Sequence, residues 1–166
     1  MFSIMKITAL ISNRLNLLPV IVFAALATLM SGCQSVPEAS SAQQQQATSF
    51  TPPAGMAGLY VIRPWHLGGA AANWGAHLDY QDFGTLETSS YLYGAILPGK
   101  HFLRMGQNGE TGVNTFIARA GENYYFAAKV SILGPIFYPI SEADGQGYVR
   151  KFKQSGATTY KPPFNP

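Results

Sequence analysis

The chain has 166 residues, of which 11 are Lys or Arg, 8 are Asp or Glu and only one is cysteine. Because Lys6 and Arg14 precede that cysteine, Cys33, the rest of the chain is almost neutral. It carries no basic stripe of the kind that binds nucleic acid. A single cysteine also provides neither an internal disulfide nor a set of thiolate metal ligands. The composition therefore excludes nucleic acid as a partner and leaves packing alone to hold the fold.

The N-terminal segment has the features of a secretion signal. The two basic residues come before an apolar stretch, Leu17–Met30, of about fourteen residues, which is short of the ~20 that a membrane-spanning helix needs. Small residues then lead into Gly32 and Cys33, and this ending resembles the lipobox of bacterial lipoproteins. The resemblance implies removal of residues 1–32 by cleavage between Gly32 and Cys33, and attachment of lipid to the Cys33 thiol. A transmembrane anchor and a buried helix are the alternatives, and Pro19 disfavours the buried helix.

The predicted anchor also indicates a location. Acyl chains on Cys33 hold a protein in a bilayer, since each buried methylene contributes ~0.8 kcal/mol. Gln34 follows the cysteine, where lipoproteins retained at the inner membrane commonly have Asp. By similarity to that sorting rule we expect the periplasmic face of the outer membrane, with the inner membrane as the less favoured location. The expected partners are the lipid bilayer and a protein of the envelope.

The composition changes twice after the cysteine. Residues 33–55 are rich in Gln, Ser, Ala and Pro, and they predict a flexible linker with a reach of roughly 25 Å. Residues 56–154 are rich in aromatic and aliphatic side chains and match the size of one domain. Residues 155–166 form a Pro-rich tail that we expect to fray.

Short apolar runs separated by turn residues predict an all-β domain, an antiparallel β-sandwich of about seven to nine strands. Leu59–Arg63 is apolar on both faces, which predicts a central strand. Alternation places Phe126 on one strand, and Leu103 and Met105 on another, toward the core. A tight turn is predicted at residues 81–82. The predicted strands are 59–63, 76–80, 83–86, 91–97, 101–105, 113–119, 124–133, 138–140 and 148–152.

Three motifs follow one another along the domain. They are residues 60–64 (Tyr-Val-Ile-Arg-Pro), residues 97–101 (Leu-Pro-Gly-Lys-His), and residues 120–121 (Ala-Gly) with residues 124–125 (Tyr-Tyr). Over residues 58–130 the chain thereby resembles a domain-of-unknown-function family of small proteobacterial lipoproteins. The resemblance implies a compact β-sandwich of PEGA-like or transthyretin-like appearance and an envelope location. It implies no activity.

The histidines do not predict a metal site. His66, His77 and His101 lack the helical spacing of paired ligands, and neither cysteine nor a carboxylate cluster accompanies them. We expect His101 to cap a turn or to lie at the rim of the sandwich. The sequence therefore predicts no metal and no cofactor.

The acidic residues offer at most a weak case for catalysis. Asp79, Asp82 and Glu87 lie close together in the sequence, and Asp79 shares a predicted strand face with His77. Paired carboxylates in a cleft can do acid–base work, but charges of a hairpin most often face solvent. No Gly-x-Ser-x-Gly or Ser-x-x-Lys motif is present. We therefore expect no enzymatic activity.

Residues 65–75 are the main candidate for a binding loop. They hold both tryptophans, Trp65 and Trp74, together with His66, and none of them is charged. Loops carry binding more often than cores do, and exposed aromatic side chains mark interaction surfaces. The alternative is that both indoles cover an open end of the sandwich as a lid.

The sequence favours a lipid-anchored interaction or structural module of the envelope. The first alternative is a module that binds glycan, peptidoglycan or a small ligand through the Trp65–Trp74 loop, and the second is an enzyme with an unrecognised site. Residues 150–153 are mostly basic and precede the Pro-rich tail. They predict contact with anionic lipid or with an envelope partner, or else a solubilising edge strand.

Overall fold

A computed structural model describes residues 36–65, 72–106, 111–131, 134–156 and 160. Within these ranges the chain forms nine strands and two helices. The strands are β1 Ala57–Arg63, β2 Trp74–Leu78, β3 Gln81–Leu86, β4 Ser90–Ile96, β5 Gly99–Met105, β6 Thr111–Ala118, β7 Asn123–Ser131, β8 Gly134–Pro139 and β9 Lys153–Gln154. The helices are α1 Ser41–Thr48 and α2 Glu142–Val149. The predicted signal peptide, with Gly32 and Cys33, lies outside the described residues.

The described strands form two sheets. The five-stranded sheet has the order β8-β7-β1-β4-β9, and the four-stranded sheet has the order β3-β2-β5-β6. Neighbouring strands are antiparallel, except that β1 is parallel to β7 and β4 is parallel to β9. Side chains of both sheets share one core, which includes Leu59, Leu78 and Leu103. The predicted all-β sandwich is confirmed.

Strand β1 is buried along its whole length. Leu59 and Val61 face the core between the sheets. Tyr60 and Ile62 point the other way and belong to a second apolar cluster that contains residues of both helices. A strand with apolar residues on both faces needs cover on both faces, so its central position is confirmed.

The predicted alternation of side chains is confirmed on β5 and β7. Leu103 and Met105 are fully buried, whereas Arg104 between them is only half-buried. Phe126 lies in the core, and its ring centroid is 5.1 Å from that of Phe116. The period of two along a strand therefore gives the correct inward face.

The β2–β3 turn lies earlier in the chain than predicted. Leu78 pairs with Gln81, so the turn residues are Asp79 and Tyr80 and not residues 81–82. Their φ angles are 49° and 68°, and positive φ at both central residues is typical of a type I′ hairpin turn. Neither residue is the glycine that usually marks such a turn, which explains the error.

Residues 36–55 are folded onto the sandwich, which corrects the predicted linker of residues 33–55 over this part. Helix α1 begins after Ser40, whose hydroxyl oxygen accepts a hydrogen bond from the Gln43 backbone N–H at 3.4 Å. In return, the Gln43 side-chain oxygen accepts the Ser40 backbone N–H at 2.8 Å. This capping box satisfies N–H groups that the first turn of a helix leaves free.

One side of α1 contacts the central strand. Ala47 is fully buried, and its carbonyl oxygen accepts a hydrogen bond from the Tyr60 hydroxyl at 2.7 Å. Phe50, just after the helix, packs with its ring centroid 6.0 Å from that of Tyr60. Because α1 itself buries little more than one small side chain, its sequence has the composition of a linker although it is folded.

The end of helix α2 and the turn that follows it stand where a strand was predicted at residues 148–152. Ser141 caps the helix, and its hydroxyl oxygen accepts the Asp144 backbone N–H at 3.1 Å. Gly145 is buried against the ring of Tyr125. Glycine lowers helix propensity, so a helix of two turns with two glycines gives no helical signal in the sequence.

Part of the predicted tail of residues 155–166 also belongs to the fold. The Ser155 backbone N–H donates to the Tyr91 carbonyl oxygen at 2.8 Å. Tyr160 is buried, and its ring centroid lies 5.6 Å from that of Phe83 in the core. The folded unit therefore extends past the predicted domain at both ends.

Candidate functional site

The two tryptophans of the predicted binding loop lie in different surroundings. Trp65 follows the end of β1 and is 60% exposed. Trp74 is the first residue of β2 and is half-buried against the core. His66 lies outside the described residues. Of the two indoles, Trp65 therefore has the greater exposure, as a docking residue requires.

Arg63 connects the two sheets beside Trp74. Its guanidinium lies 3.8 Å from the centroid of the Trp74 ring, and it donates to the carbonyl oxygens of Leu86 at 2.9 Å and Ala72 at 2.5 Å. Burial lowers the pKa of Arg63 below its usual range, but an arginine keeps its proton in a protein. The cation–π contact and the hydrogen bonds compensate for burying the charge. One face of the Trp74 indole is therefore already occupied, and no pattern in the sequence indicates this role for Arg63.

Several strands begin or finish at the end of the sandwich that holds Arg63. Arg63 ends β1 opposite Ser90, the first residue of β4, and Lys153 begins β9 opposite the same serine. Trp74 begins β2 opposite Leu86, the last residue of β3. The turn between β2 and β3 lies at the opposite end. We name the first end the tryptophan end and define it by Arg63, Trp74, Leu86, Ser90 and Lys153.

A buried histidine contacts a half-buried aspartate at the opposite end. His101 Nδ1 lies 2.5 Å from Asp79 Oδ2, and His101 Nε2 donates to the Leu97 carbonyl oxygen at 2.7 Å. Asp79 Oδ1 accepts the Phe102 backbone N–H at 2.9 Å. Both ring nitrogens are thus held by the protein itself. The pair fixes the β2–β3 turn to β5 and leaves no ring nitrogen to exchange a proton with a substrate.

The other residues considered for chemistry are spread over the fold. His77 and Asp79 do not share a strand face as predicted, because β2 ends at Leu78; His77 Nε2 lies 3.0 Å from the Gly106 carbonyl oxygen, whereas Asp79 contacts His101. Asp82 accepts a backbone N–H at 3.0 Å near the turn, whereas Glu87 accepts the Val36 N–H at 2.8 Å at the tryptophan end. The three acidic residues therefore do not share one cleft. Among the described residues, no group of three His, Cys, Asp or Glu side chains is placed to hold a metal ion.

Two exposed apolar side chains lie on the same face of β6. Val113 is 55% exposed and Ile117 is 66% exposed, and Thr115 between them on the same face is exposed as well. Strand β6 is at the edge of the four-stranded sheet, and Thr111–Ala118 contains no charged residue. We name these three side chains, Val113, Thr115 and Ile117, the β6 surface. The sequence shows their alternation but not that this face is the outer one, which is why the surface was not predicted.

No protein-family model, curated protein or solved structure matches this chain. The resemblance to a family of small lipoproteins therefore stays a prediction that the motifs alone support. In the part of the chain that the structure describes, no helix has the length and apolar character needed to cross a membrane.

Proposed function

We propose that the protein is a lipid-anchored β-sandwich of the bacterial envelope that holds a protein partner at the periplasmic face of the outer membrane. It does so without catalysis of its own. The lipobox-like ending at Cys33 and the following Gln34 support the anchor and its location. The observation that carries the interaction role is the β6 surface.

The β6 surface has the properties of an interface that a partner covers. Val113 and Ile117 expose β-branched side chains on the edge strand of the four-stranded sheet, and edge strands are common sites of contact with another chain. Natural sheets protect such edges with Lys or Pro, and Thr111–Ala118 contains neither. A strand or an apolar face of a second protein would cover both side chains. This arrangement favours an interaction module.

Site-specific photo-crosslinking in cells tests this interface. A photoreactive amino acid at Ile117 should capture one discrete envelope protein, and the same amino acid at Gln45, an exposed position of α1, should not. Ile117→Lys should abolish co-purification of that protein and leave the circular dichroism spectrum unchanged, because the side chain is in solvent. Capture at neither position, or equal capture at both, contradicts the proposed interface.

The anchor is tested separately with labelled palmitate. The Cys33→Ser protein should accumulate as a precursor of full length without label, because a hydroxyl does not replace the thiol that takes up the lipid. The Gln34→Asp protein should keep the label and shift to the inner-membrane fraction. A Cys33→Ser protein that is cut to the wild-type size and still labelled contradicts the anchor.

A glycan-binding function is the second candidate, and the exposure of Trp65 is the observation that favours it. An open indole face can stack on a sugar ring, although Arg63 occupies one face of the neighbouring Trp74. Co-sedimentation with insoluble peptidoglycan measures this binding. Trp65→Ala should abolish it, whereas Tyr80→Ala, which removes another exposed aromatic ring, should not.

A further inference from the structure

The folded unit starts very close to the predicted anchor. The Val36 backbone N–H donates to Glu87 Oε1 at 2.8 Å, and Glu38 forms a β-bridge with Ser155. Only two residues separate Val36 from Cys33, so the chain between them spans at most about 11 Å. An anchor on Cys33 therefore holds the sandwich itself near the bilayer, and not at the end of a long linker.

The start of the folded unit lies at the tryptophan end. Val36, the first described residue, is bound by Glu87. Glu87 directly follows Leu86, which pairs with Trp74. The Glu38 carboxylate accepts a hydrogen bond from Lys153 Nζ at 2.7 Å, and Lys153 is the residue that begins β9 at this end. The chain that follows the predicted anchor therefore enters the fold at the tryptophan end.

The exposed groups at this end suit a lipid surface. Trp65 is 60% exposed, and indoles favour the level of the lipid headgroups because one part of the ring is apolar and the N–H is polar. Residues 150–153 lead into β9, and Lys151 among them is exposed, which suits anionic headgroups, whereas Lys153 pairs with Glu38 and Arg150 lies over the Phe50 ring. The nearby acidic residues are engaged, since Glu38 pairs with Lys153 and Glu87 accepts a backbone N–H.

We propose that the tryptophan end is seated on the bilayer, with Trp65 among the lipid headgroups and Lys151 over anionic ones. This inference rests on the proposed function, because it requires the acyl anchor on Cys33. The short chain before Val36 keeps the bilayer at a high effective concentration beside Trp65, which favours lipid over a soluble ligand. The turn with Tyr80 then points away from the membrane, and the β6 surface stays open to a partner.

Fluorescence quenching by brominated lipid tests this orientation on the full, acylated protein. The protein is placed in vesicles of phosphatidylcholine and phosphatidylglycerol, with or without bromine on the phosphatidylcholine acyl chains. Trp74→Phe leaves Trp65 as the only indole, and its emission should be mostly lost in the brominated vesicles. The control protein combines Trp65→Phe, Trp74→Phe and Tyr80→Trp, which moves the indole to the opposite end, and its emission should be retained.

A second comparison avoids any disturbance caused by Trp74→Phe. The wild-type protein should be quenched by brominated lipid, and Trp65→Phe alone should remove most of that quenching. Equal Trp65 emission in both kinds of vesicle, from protein that carries labelled palmitate, overturns this inference and leaves the proposed anchor intact. If soluble peptidoglycan fragments quench the Trp65 emission and brominated lipid does not, the result overturns this inference and favours a glycan ligand. If the protein carries no palmitate label, both this inference and the proposed anchor are overturned.

Discussion

Tyr60 is the centre of an aromatic cluster beneath the two helices. Its ring centroid lies 4.7 Å from those of Tyr93 and Tyr125, and its hydroxyl donates to the Ala47 carbonyl oxygen. Aromatic pairs of this kind contribute ~0.5–1.5 kcal/mol beyond the burial of their area. Burial raises the pKa of Tyr60, and it raises the pKa of Tyr91 and of Tyr125 to about 12. The cluster thus joins α1 to three strands through groups that must stay neutral.

We expect the free energy of unfolding to decrease with pH once the pH exceeds about 10. The unfolded chain releases its tyrosine protons at the ordinary pKa of 10.0, whereas the folded protein holds those of Tyr91 and Tyr125 up to a pKa of about 12. Stabilisation by the neutral tyrosines is therefore complete below pH 10 and is lost as the pH rises through 12. Urea unfolding followed by circular dichroism at several alkaline pH values measures this slope.

A pair of tyrosine variants checks the cause. Tyr91→Phe should make the decrease with pH less steep, because one buried hydroxyl that resists ionisation has been removed. Tyr80→Phe is the matched control, since Tyr80 is 76% exposed and its hydroxyl meets solvent in the folded and the unfolded chain alike. Identical slopes for the two variants would show that burial of these tyrosines does not set the alkaline stability.

At the residue scale, the sequence predicts burial better than it predicts partners. Alternation identifies Phe126 and Leu103 as core residues because it depends only on neighbours along one strand. The pairing of His101 with Asp79 depends on the exact turn residues and on the contact of β2 with β5. Both are non-local, and no sequence pattern records them. The role of Arg63 was missed for the same reason.

At the scale of elements, α2 offers a test of how a glycine allows close packing. A Cβ atom at Gly145 would lie 2.2 Å from the Tyr125 ring, and that ring is stacked on Tyr60 and cannot easily move. Gly145→Ala should therefore destabilise the domain by about 1–3 kcal/mol, the usual range for overpacking. The midpoint of urea unfolding measures the change.

Gly147 provides the matched control in the same helix. A Cβ atom there meets nothing within 4 Å. Gly147→Ala should therefore stabilise α2 by up to about 1 kcal/mol, since alanine is the better helix former. If both substitutions moved the unfolding midpoint in the same direction, the contact of Gly145 with Tyr125 would not be what selects glycine.

The strands could be predicted and the two helices could not, and the difference is physical. Each strand buries a row of side chains, which leaves a pattern of period two in the sequence. Helix α1 buries Ala47 and α2 buries Gly145 and Val149, so neither has an apolar stripe. Their ends are set by the caps Ser40 and Ser141, which resemble ordinary loop residues in the sequence.

At the scale of the whole molecule, segments from both ends of the described chain are paired with each other. The Ala39 backbone N–H donates to the Gln154 carbonyl oxygen at 3.1 Å, and Glu38 forms a β-bridge with Ser155. Composition places residues 36–39 and Ser155 outside the domain, because neither lies in a long apolar run. The sequence therefore does not locate the domain boundary. For the same reason, it does not predict how short the chain between the predicted anchor and the fold is.

Residues 36–55 also contribute to the stability of the fold, which a linker does not. Without them, Tyr60 loses the carbonyl acceptor on Ala47 and its contact with Phe50. Burying one large side chain contributes about 1.5–3 kcal/mol, so removal of the segment should lower the free energy of unfolding by at least about 2 kcal/mol. The face of β1 that carries Tyr60 would then be partly open to solvent.

Two soluble versions of the chain, beginning at Val36 and at Met56, measure this effect directly. The version from Val36 should unfold in one cooperative transition, because it contains every described contact of the sandwich. The version from Met56 should keep its β-type circular dichroism spectrum, unfold at a lower urea concentration and bind a hydrophobic dye at the uncovered Tyr60 face. Equal midpoints would mean that α1 contributes nothing to stability. Residues 36–55 would then behave as the linker that their composition suggests, and the short distance from anchor to fold would no longer hold.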